Sequence, residues 1–137
     1  MFFKKKEDNS HLENFIKIAA LLIHAAKIDE NYSVEEEEII KKTLIKLGVE
    51  NSQFKNILKD AKKIEENSNQ ILLFTKEVKN MSDKKKIQII EALWQIIYSN
   101  KEVDMYEASL MRRLGGLLYI DSKTMGDIKD KIKNKFT

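Results

Sequence analysis

The sequence contains no cysteine and no proline. Without cysteine there is no disulfide, no thiolate zinc site and no thiol nucleophile. That suits a reducing compartment, so the expected location is the cytoplasm, with a peripheral seat on the inner membrane as the variant. Without proline, no helix need be broken from within. Glycine is scarce, at four residues, and no glycine-rich phosphate loop can be built from them. The two histidines, His11 and His24, form no HExxH motif, and no Ser-His-Asp or Cys-His set can be assembled. An enzyme is therefore not expected.

Long apolar runs are also missing. The longest, Ile18 to Ile23, lies between Lys17 and His24, far short of the roughly 18 residues that a membrane span needs. The start, MFFKKKEDNS, has its charge after its apolar pair, the wrong order for a signal peptide. Charge of one sign is not concentrated either. Lys and Arg number 25, Asp and Glu 22, for a net charge of +3, and the two signs interleave. Nucleic-acid binding calls for a basic face, so it is disfavoured.

What is present is helix-forming sequence of 137 residues, the length of one domain with a single substantial core. Residues 1–9 read as a flexible N-terminus and 10–137 as one helical domain. Ser10 with Glu13 makes a capping box for a first helix that runs to about Ile28 and is apolar nearly all round, as a helix buried on several sides would be. Ser33 with Glu36 is a second capping box, for a helix that Gly48 ends in the left-handed conformation. Asn51 or Ser52 opens a third helix with Phe54, Ile57, Leu58, Ala61 and Ile64 at helical spacing. Its remaining faces, with Lys62 and Glu65, read as solvated. Asn67 or Ser68 opens a fourth helix carrying Ile71, Leu72, Phe74, Thr75 and Val78. Ser82 caps a fifth, whose apolar positions from Ile87 to Ile97 again wrap most of its circumference. A sixth carries Leu110, Met111, Leu114, Leu117 and Leu118, and its Gly115-Gly116 pair points to close helix approach. Asp121 or Ser122 caps the last, with Met125, Ile128, Ile132 and Phe136 inward. The fold class is all-α, with about seven helices.

The chain repeats itself. Shifted by 71 positions, Leu22 falls on Leu93, Asp29 on Asn100, Ser33 on Asp104, Glu36 on Glu107, Ile39 on Leu110, Leu47 on Leu118 and Val49 on Ile120. Each unit is a buried helix, a polar elbow with Asp or Asn, and a carboxylate seven residues on that begins the next helix. Two pseudo-symmetric helical hairpins with central buried helices are expected.

The stretch ALLIHAAKIDENYSVEEEEI resembles the first motif of TerB-like, tellurite-resistance-associated domains, in which Asp-Gly ends a helix and Glu follows seven residues after the Asp. LWQIIYSNKEVDMYEASLMRRLGGLL is similar to the second motif, including its Tyr-Glu. ILLFTKEVKNMS resembles the connecting helix of a compact bacterial branch. The resemblance covers about Ser10 to Ile132. It implies an all-α domain of about seven helices, found alone or fused, related to a domain beside the J-domain of a membrane-anchored co-chaperone. It ties the chain to tellurite resistance and stress, with metal-binding or signalling roles and no catalytic mechanism. Glu30 and Lys101 stand where the family has glycine, and Asn100 stands where it has its second Asp, which removes one charge from any acidic site.

Asp29, Glu36, Asn100 and Glu107 form the candidate site. Their oxygens suit a divalent cation, calcium or magnesium, if the repeat brings both elbows to one face. The stronger reading makes them caps: Glu36 with Ser33 and Glu107 with Asp104, with Asp29 and Asn100 holding the elbow backbone. An EF-hand is excluded, because Val34 and Ile40 stand at its glycine and glutamate positions. Glu35 to Glu38 complement the helix dipole. His24 reads as a satisfied or half-exposed side chain, Trp94 as core, and Lys84 to Lys86 and Arg112-Arg113 as solvated faces.

Three functions are expected, the first with its link to stress or tellurite resistance implied by the resemblance. The first is a non-enzymatic module linked to stress or tellurite resistance, which needs no cofactor and uses the elbows to bind a protein partner. The second is a divalent-cation-binding domain. The third is a weak binder of anionic membrane or nucleic acid through Lys4 to Lys6 and the basic last helix.

Overall fold

In the computed structural model, residues 2–28, 32–67, 72–99 and 105–135 are described, with the side chains of residues 2–11, Leu72 and Glu77 left aside. They form seven α-helices and no strand: α1 (Phe2–Lys27), α2 (Val34–Leu47), α3 (Phe54–Glu66), α4 (Leu72–Lys79), α5 (Asp83–Tyr98), α6 (Met105–Leu117) and α7 (Ser122–Lys135), with a 3-10 turn (Asn51–Gln53) before α3. The all-α expectation and the helix count hold.

The two helices that are apolar all round lie at the centre. From Ile18 to Ala26, α1 is fully buried except at His24. In α5, Ile89, Ile90, Leu93, Ile96 and Ile97 have no exposed surface. The central pair packs against each other; α2, α3 and α4 also lie on α1, and α2 and α7 on α5. Ile40, Leu44, Phe54, Ile57, Phe74, Val78, Leu110, Met111, Leu114, Met125 and Ile128 complete one continuous core.

The local signals behave as their chemistry dictates. Ser33 Oγ accepts from the Glu36 N–H at 3.1 Å, and the Ser33 N–H donates to Glu36 Oε1 at 2.8 Å, which completes the capping box. Ser82 caps α5 through the Lys85 N–H. Of the two residues expected to cap α7, Asp121 does so: its Oδ1 accepts from the Thr124 N–H at 2.7 Å, and that bond holds its carboxyl below the usual range.

The repeat runs further than one hairpin. Gly48 and Tyr119, 71 positions apart, are the two residues with positive φ among the described residues, at 119° and 58°. Around Gly48 the Val49 N–H reaches the Leu44 carbonyl at 2.9 Å; around Tyr119 the Ile120 N–H reaches the Gly115 carbonyl at the same distance. This is one helix C-cap made twice. The register continues into the third helix of each unit, where Phe54 and Met125, Ile57 and Ile128, and Ala61 and Ile132 are all buried. Each unit is thus three helices, α1–α3 and α5–α7, with α4 between them.

Several expectations give way. Helix α1 begins at Phe2 rather than Ser10, because the Lys-rich segment before Ser10 holds neither proline nor glycine to stop it. The turn before α3 is closed one residue earlier than expected, by the Glu50 N–H and Gln53 Oε1 at 3.3 Å, and not by Asn51 or Ser52. Ile64 is 38% exposed, at the edge of its apolar face. Glu65 and Lys86, expected on solvated faces, are buried, Glu65 bonded to Lys27 of α1 and Lys86 to the Leu118 carbonyl just past α6. Ile71 and Phe136 fall outside the described residues.

Candidate functional site

The first elbow is anchored on both sides. At the end of α1, Lys27 Nζ donates to Glu65 Oε2 at 2.7 Å and His24 Nδ1 lies 3.4 Å from Glu65 Oε1. Glu65 belongs to the last turn of α3, so the end of α1 is tied there. After the elbow, the Tyr32 hydroxyl donates to Glu37 Oε1 at 3.2 Å, and Lys62 of α3 stands 5.2 Å from the Tyr32 ring and 3.5 Å from Glu37. Burial and the neighbouring Glu37 push the Tyr32 hydroxyl well above its ordinary value. Neither anchor was legible in sequence, since the partners lie in different helices.

Of the four candidate ligands, the structure describes two. Glu36 is fully buried, and one of its oxygens is committed to the Ser33 N–H. Glu107 is 2% exposed at the repeat-equivalent position in α6. Asp29 and Asn100 lie outside the described residues, as does Asp104. Among the described residues, no group of three or more His, Cys, Asp or Glu side chains is placed to hold a metal. The chemistry on view is a capping carboxylate in the first unit and a second buried carboxylate in its copy. Burial of both was not foreseen. The signal was there, because a capping Glu one turn before the apolar face of a core helix is drawn inward with that face.

Beside the elbows three large apolar side chains are exposed. Val34 opens α2 and is 85% exposed; Met105 opens α6 at the equivalent position and is 81% exposed; Tyr106 beside it is 76% exposed. Tyr106, Leu110 and Arg113 of α6 face His24 and Ile28 at the end of α1 across an open groove of about 550 Å³. The end of α1 and the start of α6 therefore share one side of the molecule. Glu35 and Glu38 add exposed negative charge beside Val34.

The basic candidates divide. Lys84, Lys85, Arg112 and Arg113 are exposed as expected. Lys86 is not: its ammonium donates to the Leu118 carbonyl at 3.1 Å and stands 6.0 Å from the Tyr119 ring, so it serves the C-terminal end of α6. In the first unit its place is taken by Phe15, next to Gly48. Helix α7 alternates exposed Lys123, Lys131 and Lys133 with Asp127 and Asp130, and Lys131 pairs with Glu91. Among the described residues no helix is long and apolar enough to cross a membrane.

A protein-family comparison matches residues 15–130 to the family described as tellurite resistance protein TerB. No curated protein and no solved structure matches the chain significantly.

Proposed function

The chain belongs to the TerB family, and from that premise we propose that it is a non-enzymatic, cytoplasmic accessory module that binds a protein partner through its elbow face. The observation that carries this reading is the pair Val34 and Met105. An apolar side chain stands almost fully in water at the same position of both units, next to Tyr106. Tyr106 also lines the groove beside His24; exposed apolar residues are common at protein contact sites, and aromatic and Met side chains are enriched there. Glu35 and Glu38 supply a polar rim. The family's name motivates a link to tellurite resistance and stress.

The test is affinity capture with the wild-type chain and with a Val34→Ser, Met105→Ser, Tyr106→Ser variant. All three residues are exposed, so the melting temperature should stay within a few degrees of wild type. Partners retained by the wild type and lost by the variant support the reading. An identical set of proteins from both overturns it.

A second reading, a calcium or magnesium site, is favoured by one observation: Glu36 and Glu107 are buried at equivalent positions of the two units. A ligand that binds only the folded state raises its stability. Chelator-treated protein should then melt higher with added cation, and Glu36→Gln and Glu107→Gln should each remove that rise. A flat titration, with variants that only melt lower, leaves both carboxylates as caps.

A further inference from the structure

The two units differ between their second and third helices. In the first unit Leu44, Phe54 and Leu58 are buried there, and Lys41 lies 5.7 Å from the Phe54 ring. The equivalent residues in the second unit are Gly115, Met125, Lys129 and Arg112, and a groove of about 720 Å³ opens between α6 and α7. That is the size of a small-molecule site.

The chain does not use this space itself. A Cβ added at Gly116 or Gly126, both on the groove wall, would meet nothing within 4 Å. Glycine inside a helix costs about 1 kcal/mol relative to alanine, so close packing does not account for these two residues. Trp94 lines the same groove. It is 5% exposed, and its Nε1–H has no acceptor among the described residues. A buried N–H of this kind ordinarily finds a partner.

The walls also carry charge. Ile120 and Asp121 of the α6–α7 connection close one end, where Asp121 is already engaged in capping α7. Arg112 of α6 and Lys129 of α7 line the same groove. Neither pairs with a carboxylate among the described residues, and Lys129 Nζ lies 5.5 Å from the Trp94 ring. A largely apolar groove with two cations on its walls complements an apolar chain that ends in an anion.

We propose that the α6–α7 groove is a binding site for a free single-chain organic acid, its apolar tail between Met111, Met125 and Gly126 and its carboxylate between Arg112 and Lys129. The two methionines, being unbranched and adaptable, suit a tail of variable shape. This site is separate from the elbow face and stands or falls without it.

Trp94 is the single tryptophan, so its fluorescence reads the groove directly. The full chain is titrated with decanoate, and in parallel with decylammonium, each below its micelle-forming concentration. The expected result is a saturable change in Trp94 emission with decanoate and none with decylammonium. Gly126→Leu fills the groove and should abolish the change while melting no lower than wild type, since it replaces an unpacked helical glycine. Arg112→Gln with Lys129→Gln should weaken binding about tenfold or more. No response to decanoate, an equal response to decylammonium, or full binding by a folded Gly126→Leu variant would each overturn the proposal.

Discussion

Gly48 and Tyr119 occupy the same backbone conformation for different reasons. At φ 119° Gly48 is free of the Cβ clash that any other residue would meet, and the Phe15 ring packs beside it. Gly48→Ala should cost about 1–2 kcal/mol, read as a lower urea midpoint at unchanged slope. Tyr119 holds the conformation without that freedom. The Lys79 ammonium at 5.1 Å and that of Lys86 at 6.0 Å from its ring help to hold it there. Tyr32 makes a prediction about pH. Its hydroxyl is pushed up in the folded chain by burial and by Glu37, whereas in the unfolded chain it titrates near 10. The neutral form is therefore favoured by folding. That contribution is complete below about pH 10 and is lost as pH rises beyond it, because the unfolded chain then releases a proton that the folded chain keeps. Tyr32→Phe should show a shallower fall in stability above about pH 10 than wild type. Equal slopes in the two proteins would mean that neither burial nor Glu37 raises the Tyr32 hydroxyl on folding.

At the scale of the element, α6 carries a glycine pair whose two members are not alike. A Cβ on Gly115 would lie 3.3 Å from Met125 Cγ, so this residue does admit the close approach of α7. A Cβ on Gly116 would meet nothing. Close approach, expected of both, therefore holds for the first alone. Gly116→Ala should stabilise the protein by about 1 kcal/mol, the helix-propensity difference, while Gly115→Ala should gain less or lose. Thermal melts of the two single variants decide it; equal gains would contradict the packing at Gly115. The same helix shows how one C-cap is built from different parts. In α2 a glycine and an apolar ring suffice, whereas in α6 the buried Lys86 ammonium bonds the Leu118 carbonyl and compensates the helix dipole.

On the scale of the whole molecule, α1 and α5 are the shared centre. Each contacts the other and carries its own third helix, and α2 of the first unit packs on α5 of the second. The units therefore do not have separate cores. Leu22 and Leu93, equivalent in the repeat, have no exposed surface. Leu22→Ala and Leu93→Ala should each cost about 2–5 kcal/mol. Each should also shift a single cooperative transition rather than split it into two, because damage to one unit removes packing from the other. A second transition in either variant, seen by calorimetry, would show the units to be independent.

Much of this was legible along the chain because it depends on near neighbours. Ser33 and Glu36 lie three apart, Gly48 directly follows its helix, and the apolar circumference of α1 and α5 is a local count, so the helices, the caps at Ser33, Gly48, Ser82 and Asp121, the repeat and the family resemblance could all be read from residue order. The candidate site was legible only as residue types. That Glu36 and Glu107 are buried depends on which side of α2 and α6 faces the core. The Lys27–Glu65, Lys62–Tyr32 and Lys86–Leu118 contacts join residues more than 25 positions apart, and nothing in the order of residues chooses such partners. The α6–α7 groove belongs to the same class. Three glycines and a tryptophan are ordinary in a sequence, and only when two helices are set side by side does the absence of side chains become a space.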